Sequence, residues 1–551
     1  MKIAIGQINP TVGDLSGNVA KMVEFAREAA GRGANLIAFP ELSVTGYPPR
    51  DLVEKCGFVE QSEAALERLA FETRDLDLAI IAGYVGRSRE TTGNRATNSA
   101  AVLRRGAVLL RQTKILLPNY DVFDEQRNFV PGEKQFLWRY QNESVALTIC
   151  EDAWNDKTFW THRLYPRDPV DELMQQGGSI LISINASPYY MQKRELRENM
   201  FRSMTRRHNV PAVVVNQVGG NDQIVFDGSS FVMDAKGVIF AFAKSFEEDL
   251  IVADLYARSG DQRASLREEC EAAYEALVVG TRDYIRKCGF RRVLIGLSGG
   301  IDSSLTAAIA VDAVGPENVR GIAMPGPYSS DHSVRDACEM ARNLGIAFDI
   351  VPITPAYDEM LRVLAPVFCD SKPDVTEENI QSRLRGLTLM ALSNKFNALV
   401  LTTGNKSELA VGYCTLYGDM CGGLAVISDV PKTLVYSLSR VANRRHANGI
   451  PESVFEKPPS AELRPDQKDS DSLPPYDVLD AILRLYVEEL RSVKDIAAEL
   501  SLPLELVRDV AIKVDRNEYK RQQAAPGLKL TSKAFGIGRR FPIAQRYFEN
   551  E

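Results

Sequence analysis

Residues 292–304 read Arg292-Val293-Leu294-Ile295-Gly296-Leu297-Ser298-Gly299-Gly300-Ile301-Asp302-Ser303-Ser304, and this stretch decides the fold of the second half of the chain. The apolar, β-branched run at 293–297 predicts a buried parallel strand, and the apolar residues at 305–311 predict a helix. A strand, a glycine turn and a helix in this order point backbone N–H groups at a phosphate. The sequence therefore predicts a phosphate-binding turn here.

The glycines and polar residues of the turn fit this interpretation. Gly299 and Gly300 allow a tight bend and a close approach of phosphate oxygens. Ser298 and Ser303 can donate hydroxyl hydrogen bonds, and Asp302 can hold a Mg²⁺ that bridges phosphates. The turn is not a Walker loop, because no Lys-Ser or Lys-Thr pair closes it, and the dinucleotide fingerprint G-x-G-x-x-G is absent. The structural alternative is an ordinary corner with a capping aspartate.

The length and composition limit the classes of protein that fit. A chain of 551 residues is too long for one core and indicates several domains. A net charge of -7 without a basic block argues against nucleic acid as the main partner. No signal peptide is evident, and no apolar run reaches the ~18 residues that a membrane span needs. The eight cysteines lack CxxC pairs, which disfavours a disulfide frame or zinc site. We expect a cytoplasmic protein that binds neither nucleic acid nor membrane.

The first half alternates predicted strands with helices, which indicates an α/β layered domain. Three of its strands end on reactive side chains: Glu41, Lys114 and Cys150. A thiol needs a base to become a nucleophile, and a nearby cation lowers its pKa. A tetrahedral intermediate needs a positive donor for its oxyanion. One glutamate, one lysine and one cysteine supply these roles, whereas each residue alone fits a buried small hydrophobe or a solvated charge.

The same stretches resemble the nitrilase superfamily. The resemblance is carried by Phe39-Pro40-Glu41-Leu42, by Lys114-Ile115-Leu116-Leu117-Pro118 and by Cys150-Glu151-Asp152. It implies an αββα sandwich in which Glu41 is the general base, Lys114 stabilises the oxyanion and Cys150 is the nucleophile. It also implies that Glu125 supplies a second carboxylate near the site.

The second half predicts a doubly wound parallel sheet with its ligand crevice at the carboxyl ends of the strands. Further strands are predicted at 319–324, 348–353 and 398–403. Residues 257–265 are small and polar, so we predict domains at 1–257 and 258–551. Thr403 ends a strand, and Glu408 could complete an oxygen-ligand Mg²⁺ site with Asp302.

Ser298-Gly299-Gly300-Ile301-Asp302-Ser303 resembles the pyrophosphate loop of the N-type ATP pyrophosphatases, which transfer AMP from ATP to an acid. Nearly the whole chain resembles the glutamine-dependent NAD⁺ synthetases, which implies a Rossmann-like second domain. The resemblance implies three sets of ligand contacts and a metal site. Glutamine would be bound by Tyr120, Ser187 and Lys193; ATP by Gly296, Leu297, Ser298, Gly299, Gly300, Ile301, Asp302, Ser303, Thr403, Lys432 and Ser460; deamido-NAD⁺ by Asn379, Arg383, Glu408 and Lys520; and the metal by Asp302 and Glu408.

The resemblance implies a carbon–nitrogen ligase that amidates deamido-NAD⁺ through an adenylate, using ATP and ammonia from glutamine. It implies Mg²⁺ but no prosthetic group, and a homo-oligomer formed through the synthetase domain. Two details remain open: whether Arg383 or Arg385 meets the substrate, and whether residues 456–476 are a solvated loop or a lid over ATP. In the smaller ammonia-using relatives, a lysine lies near Leu416 and a histidine stands in place of Tyr519.

Other functions fit the residues less well. A GMP synthetase type of amidotransferase would use a Cys-His-Glu glutaminase, but no histidine follows Cys150 at a strand end. A glutaminase with an N-terminal cysteine is excluded by Lys2 at the second position. An RNA-thiolation protein would need a basic surface and paired cysteines. A scaffold with inactive sites would not need Glu41, Lys114 and Cys150 together.

Overall fold

The computed structural model describes residues 1–89, 93–264, 266–369 and 371–547. The chain forms two compact units, Met1–Arg267 and Glu268–Glu551. We predicted the boundary between residues 257 and 258, and the structure places it later. The reason is that Ser259–Gly260 pairs as a strand with Asp249–Asp254, and Arg263 Nε contacts Asp249 Oδ2 at 3.0 Å. These residues complete the first unit.

The first unit contains two mixed sheets, a short hairpin and flanking helices. Its strands are β1 (Lys2–Gln7), β2 (Leu36–Ala38), β3 (Ala79–Arg87), β4 (Ala96–Arg104), β5 (Ala107–Thr113), β6 (Trp138–Tyr140), β7 (Glu143–Ile149), β8 (Ile180–Asn185), β9 (Ala212–Asn216), β10 (Val218–Asn221), β11 (Ile224–Asp227), β12 (Phe231–Met233), β13 (Ile239–Phe242), β14 (Asp249–Asp254) and β15 (Ser259–Gly260). Its α-helices are α1 (Leu15–Gly31), α2 (Cys56–Glu72), α3 (Glu125–Asn128), α4 (Pro169–Gln175) and α5 (Lys193–His208), with 3-10 helices at Arg50–Glu54 and Cys150–Ala153.

The two sheets of this unit pack face to face. Their strand orders are β15-β14-β1-β2-β3-β4-β5 and β13-β12-β9-β8-β7-β6. One apolar core lies between them and joins Ile5 to Leu147 and Val213, all fully buried. A second core packs α1 and α2 on the outside of the first sheet, and a third packs α4 and α5 on the second. The predicted αββα sandwich is confirmed.

The second unit is built on one parallel sheet. Its strands are β16 (Val293–Gly296), β17 (Val319–Ala323), β18 (Ala347–Ile350), β19 (Leu399–Thr402) and β20 (Leu424–Ala425). Its α-helices are α6 (Glu269–Lys287), α7 (Ile301–Val314), α8 (Asp331–Asn343), α9 (Thr354–Phe368), α10 (Val375–Phe396), α11 (Lys406–Val411), α12 (Lys432–Arg445), α13 (Glu452–Glu456), α14 (Tyr476–Leu483), α15 (Val493–Leu500), α16 (Leu504–Arg516) and α17 (Glu518–Arg521). Short 3-10 helices lie at Pro316–Asn318 and Asp469–Asp471, and a π-helical turn lies at Arg484–Glu488.

The order of this sheet, β18-β17-β16-β19-β20, confirms the predicted doubly wound topology. The strand order reverses between β16 and β19, and a crevice opens at such a point beyond the carboxyl ends of the strands. The glycine turn follows β16 and Thr403 follows β19, so both reach this crevice. Among the described residues, no helix is both long and apolar enough to cross a bilayer.

Candidate active sites

The first unit brings Glu41, Lys114 and Glu125 into direct contact. Lys114 is the first residue after β5, and its Nζ donates to Glu41 Oε1 at 2.7 Å and to Glu125 Oε1 at 2.8 Å. Glu41 and Lys114 are fully buried, and Glu125 is 4% exposed. Burial alone would lower the pKa of Lys114, but the charges of Glu125 and Glu41 raise it well above its usual value. Lys114 is therefore a permanent cation shared by two carboxylates.

Three further groups hold the carboxylates in place. Asn98 Nδ2 donates to Glu41 Oε1 at 2.7 Å and to Glu125 Oε2 at 3.2 Å. The Tyr47 hydroxyl donates to Glu125 Oε1 at 2.9 Å. The backbone N–H of Ala186 donates to Glu41 Oε2 at 2.9 Å, so both oxygens of Glu41 are bonded. We did not predict Asn98 or Tyr47; the only signal available was an amide in β4 followed by apolar or small residues at 99–103.

Cys150 lies in the electrostatic field of this cluster. It follows β7, opens the 3-10 helix Cys150–Ala153 and is 4% exposed. Its φ of +43° turns the chain sharply in a conformation that non-glycine residues rarely adopt. Burial raises the pKa of the Cys150 thiol well above its usual value, the charge of Glu41 adds to this, and Lys114 opposes it. The resting thiol is therefore neutral and needs a base to become nucleophilic.

Asp152 fixes the turn that carries Cys150 against the residues that follow Lys114. Its Oδ1 accepts the backbone N–H groups of Ile115 at 3.0 Å and of Leu116 at 2.8 Å. Its Oδ2 accepts from Gln135 Nε2 at 2.9 Å. Burial raises the pKa of Asp152 to about 7, although these N–H donors oppose the shift. This role of Asp152 was not predicted from the sequence.

The predicted glutamine-binding residues lie beside the same cluster. The Tyr120 hydroxyl donates to both carboxylate oxygens of Glu151, each at 3.1 Å, and Glu151 directly follows Cys150. Ser187 is buried, and its N–H donates to Asn216 Oδ1 at 2.9 Å. The Lys193 ammonium lies 3.9 Å from the centre of the Trp154 ring.

The second unit contains a cavity of 440 Å³ at the carboxyl ends of its strands. Most of the predicted ATP-binding residues line it: Gly296, Leu297, Ser298, Gly300, Ile301, Asp302, Ser303, Thr403, Lys432 and Ser460. Gly299 is not among the residues that line the cavity. Its φ is +75°, and a Cβ at this position would come within 2.2 Å of the Ser333 carbonyl oxygen. Gly299 thus permits the turn to pack closely on α8 rather than facing the cavity.

Lys432 binds two carboxylates at the edge of the phosphate turn. Its Nζ contacts Asp302 Oδ2 and lies 3.3 Å from Glu408 Oε1. Asn405 Nδ2 donates to Asp302 Oδ1 at 2.9 Å. Burial raises the pKa of Glu408, and the Lys432 charge only partly offsets this.

The donor set of this cluster decides whether Mg²⁺ fits. The described residues contain no group of three or more His, Cys, Asp or Glu side chains that could hold a metal ion. Magnesium is commonly held by one or two carboxylates together with substrate phosphates and water. Asp302 and Glu408 supply such a pair of oxygen donors beside the phosphate turn, so they fit a Mg²⁺ that arrives with ATP.

Three of the four residues predicted to bind deamido-NAD⁺, Asn379, Glu408 and Lys520, line the cavity. The prediction for Arg383 is not supported by its position, because its side chain is exposed and its Nε donates to the Leu416 carbonyl at 3.2 Å. Arg385 lines the cavity in its place and donates from Nε to the Met324 carbonyl at 3.0 Å. Arg385 rather than Arg383 lines the cavity because of the way α10 is rotated about its axis. The face of α10 toward the cavity contains Asn379, Ser382, Arg385, Gly386 and Leu389.

Two predictions were possible for residues 456–476, a solvated loop or a lid over ATP. In the structure, part of this segment lines the cavity. Residues 457–463 together with Gln467 and Asp469 face this space. Gln381 Nε2 on α10 donates to the Leu463 carbonyl at 2.9 Å. This part of the segment therefore forms a wall of the site.

Comparisons with known proteins match each half of the chain to a family. Residues 2–263 match the carbon–nitrogen hydrolase family, and residues 273–524 match the NAD synthase family. The chain is 48% identical to the glutamine-dependent NAD(+) synthetase of Synechocystis sp. over 99% of each chain. It is 43% identical to that of Thermotoga maritima, covering 100% of this chain and 99% of the other. The structure of the glutamine-dependent NAD⁺ synthetase of Acinetobacter baumannii in complex with ADP matches with a TM-score of 0.77 and 41% identity, covering 100% of this chain and 99% of that one.

Proposed function

Because the chain belongs to the glutamine-dependent NAD⁺ synthetase family, we propose that Cys150 releases ammonia from glutamine and that the cavity of the second unit activates deamido-NAD⁺ with ATP. The observation that carries this proposal is the buried contact of Lys114 with Glu41 and Glu125 close to the Cys150 thiol. Few structural roles need a buried cation, two carboxylates and a neutral thiol together. These groups together suit a thiol nucleophile that stays neutral at rest and is deprotonated by a nearby base when the substrate binds.

In the first unit, Glu41 takes the proton of Cys150 as the sulfur attacks the amide carbon of glutamine. A C–S bond forms, Glu41 passes this proton to the amide nitrogen, the C–N bond breaks, and the nitrogen leaves as ammonia. Water then cleaves the thioester and yields glutamate. Two of the three N–H groups of Lys114 bind Glu41 and Glu125. We assign the third N–H group to the oxyanion of each tetrahedral intermediate.

We propose that Tyr120, Ser187 and Lys193 orient glutamine beside Cys150. The contact of Tyr120 with Glu151 supports this assignment, because Glu151 is adjacent to the nucleophile. Ser187 is adjacent to Ala186, whose N–H binds the proposed base Glu41. The Lys193 ammonium lies over the ring of Trp154, and Trp154 is four residues after Cys150 in the sequence.

In the second unit, a carboxylate oxygen of deamido-NAD⁺ attacks the α-phosphorus of ATP. The bond from this phosphorus to the β-phosphate oxygen breaks, and pyrophosphate leaves with the electron pair. Ammonia then attacks the adenylate carbonyl, which gives NAD⁺, AMP and a proton. The phosphate turn and Lys432 hold the phosphates, while Asn379, Glu408 and Lys520 contact deamido-NAD⁺.

We propose that Asp302 and Glu408 hold Mg²⁺ when ATP is bound. A magnesium ion there supplies positive charge that stabilises the departing pyrophosphate. Glu408 therefore serves both the metal and deamido-NAD⁺. Removing divalent ions with EDTA should stop NAD⁺ synthesis, and added Mg²⁺ should restore it.

We also propose a homo-oligomer formed through the second unit. Apolar side chains remain exposed on α9, where Val363 is 57% and Val367 77% exposed, and on α10, where Leu387 is 67% exposed. Exposed apolar side chains that cluster are common at interfaces between protein chains. We propose a cytoplasmic location, because Cys150 must stay reduced to act.

A product assay tests the proposed function. The full chain is incubated with deamido-NAD⁺, ATP, Mg²⁺ and glutamine, and all products are quantified. We expect equal amounts of NAD⁺, AMP and pyrophosphate, together with glutamate. ADP and phosphate in place of AMP and pyrophosphate would contradict the adenylate step.

A further inference from the structure

The cavity of the second unit contains a lysine whose part in the reaction is not yet accounted for. Lys457 follows α13, and residues Pro458 and Pro459 come directly after it. All three line the cavity. Proline fixes its own φ and restricts the residue before it, so the backbone of Lys457 is held in place before any ligand binds.

Lys457 reaches the structure that supports the phosphate turn. Its Nζ contacts the hydroxyl of Ser333 in the first turn of α8. The carbonyl of the same serine packs on Gly299, where an added Cβ would lie 2.2 Å from its oxygen. The Lys457 ammonium therefore lies next to the residue on which the phosphate turn rests.

The other cations among the described cavity residues have partners outside the segment that carries Lys457. Lys432 contacts both Asp302 and Glu408. Lys520 Nζ donates to the carbonyls of Gly412 and Cys414, each at 2.7 Å. Arg385 donates to the Met324 carbonyl. Lys457 has Glu462, a residue of its own segment, as its carboxylate partner at 3.4 Å.

Glu462 does not depend on Lys457 for its hydrogen bonds. Its Oε1 accepts from the hydroxyls of Ser330 at 2.8 Å and Ser333 at 2.7 Å, and its Oε2 accepts the Ser330 N–H at 3.2 Å. Burial would raise the pKa of Glu462, but these donors and the Lys457 charge lower it below its usual value. The carboxylate thus stays solvated by protein donors when the ammonium turns away, and Lys457 can exchange this partner at low cost.

Resting on the function proposed above, we propose that Lys457 binds the phosphates that leave ATP as pyrophosphate, and that Glu462 keeps this ammonium beside the phosphate turn until ATP arrives. When the bond to the α-phosphorus breaks, the electron pair goes to a pyrophosphate oxygen. Lys457 donates N–H hydrogen bonds to the pyrophosphate oxygens and gives up no proton. Lys432 does the same from the Asp302 side, so the leaving group lies between two ammonium groups.

Lys457→Met tests this role, because methionine keeps most of the aliphatic stem and removes the charge. Assays use the full chain with saturating ammonium, which isolates the second reaction. We expect inorganic pyrophosphate to inhibit the variant about tenfold more weakly than the wild type, which corresponds to one charge-assisted hydrogen bond. We expect kcat to fall by about tenfold, because the charge is needed as pyrophosphate departs. AMP, which lacks those phosphates, should bind within about twofold of wild type by calorimetry.

Three further variants separate a phosphate contact from a structural one. Lys457→Arg should retain pyrophosphate affinity within about threefold, because a guanidinium also binds phosphate. Glu462→Gln should tighten pyrophosphate binding severalfold, because it removes the competing charge while an amide oxygen still accepts from the serines. Lys468→Met changes an exposed lysine of the same segment and should behave as wild type.

Equal losses of AMP and pyrophosphate affinity in Lys457→Met would show that Lys457 merely holds the segment, and would overturn the proposal. So would unchanged pyrophosphate inhibition, or weaker binding in Glu462→Gln. The wild-type assay with ammonium separates these outcomes from a failure of the proposed function. If wild type forms NAD⁺, AMP and pyrophosphate, only the role of Lys457 is in question.

Discussion

Lys114 is the residue on which the chemistry of the first unit depends. Its ammonium is fully buried between the carboxyl groups of Glu41 and Glu125, which are themselves buried. Burying charges is costly unless each is paired and hydrogen-bonded, and Asn98, Tyr47 and the Ala186 N–H supply the remaining bonds. This free-energy cost of burying charged groups is common at catalytic sites, where groups with shifted pKa values take part in proton transfer.

Lys114→Met should reduce glutamine-dependent NAD⁺ synthesis by about a hundredfold or more, because it removes the proposed oxyanion donor. It also leaves two buried carboxylates without their cation, which should destabilise the first unit by about 3–5 kcal/mol. Synthesis from ammonium, measured below the melting temperature, should stay near wild type.

Glu41→Gln is the matched variant, because it removes the base but keeps an oxygen near Lys114. It should lose glutamine-dependent activity with a smaller loss of stability. Wild-type glutaminase activity in either variant would refute the assigned roles.

Asp152 gives the first unit a predictable response to pH. Its pKa is raised to about 7 in the folded protein from an ordinary value of 3.8, so the folded state holds the proton more tightly than the unfolded state. Its ionisation therefore costs stability as pH rises from about 4 to about 7, and the cost is constant above that. Between pH 5 and pH 8 this amounts to about 2–3 kcal/mol.

Asp152→Asn removes the ionisation and keeps an oxygen for the N–H groups of Ile115 and Leu116. The melting temperature of the variant minus that of wild type should become more positive from pH 5 to pH 8. Asp77, an exposed aspartate whose pKa is lowered mainly by Arg104, provides the control in Asp77→Asn. A difference for Asp152→Asn that is independent of pH would contradict the assignment.

At the scale of single residues, a functional side chain could be predicted from the sequence where a reactive residue type stands at the end of a predicted strand. Glu41, Lys114 and Cys150 are of this kind, whereas Glu125, which begins α3, is implied only by the family resemblance. The structure brings Glu41, Lys114 and Glu125 into contact. Asn98 and Tyr47 could not be predicted, because their contacts arise only when separate parts of the chain pack together.

At the scale of elements, α5 is fixed to β11 by a buried ion pair. Arg197 Nη1 donates to Asp227 Oδ1 at 3.1 Å and Nη2 to Oδ2 at 2.7 Å, and the two residues are 1% and 2% exposed. Asp227 Oδ1 also accepts from Asn216, which binds the N–H of Ser187. The pair therefore links the packing of α5 to a residue of the proposed glutamine site.

Arg197→Met should destabilise the first unit by about 3–5 kcal/mol, because Asp227 would stay buried without its cation. Arg87→Met is the control, since its pair with Glu60 is exposed and such pairs contribute about 1 kcal/mol or less. Chemical denaturation followed by a probe in the first unit measures both. Similar effects of the two variants would show that burial of the pair does not matter.

Elements with a strong local pattern were predictable, and short ones were less so. The sequence also predicts helices at 332–344 and 377–396. The structure has them as α8 (Asp331–Asn343) and α10 (Val375–Phe396), so their ends differ by at most two residues. The strand expected at 348–353 is Ala347–Ile350, because Pro352 cannot continue a strand ladder. The phase of α10 could not be obtained from sequence, since Asn379 and Arg383 are one turn apart and yet fall on different sides of the cavity edge.

At the scale of the whole molecule, each unit has its own core and its own site. The alternation of strands and helices could predict both architectures, because the spacing of apolar residues reports which faces are buried. The boundary could not be placed accurately from composition. Residues after 257 are polar in sequence, but Ser259–Gly260 still adds a strand to the first sheet.

The division of labour between the two sites is the central claim, and Cys150→Ala tests it most directly. NAD⁺ formation is measured with deamido-NAD⁺, ATP and Mg²⁺, supplied with either glutamine or ammonium. Cys56→Ala, which changes an exposed cysteine of the same unit, is the control. We expect Cys150→Ala to lose at least about a thousandfold with glutamine and to remain within about twofold of wild type with ammonium. Loss of both activities, or glutamine-dependent synthesis that survives the substitution, would contradict the account.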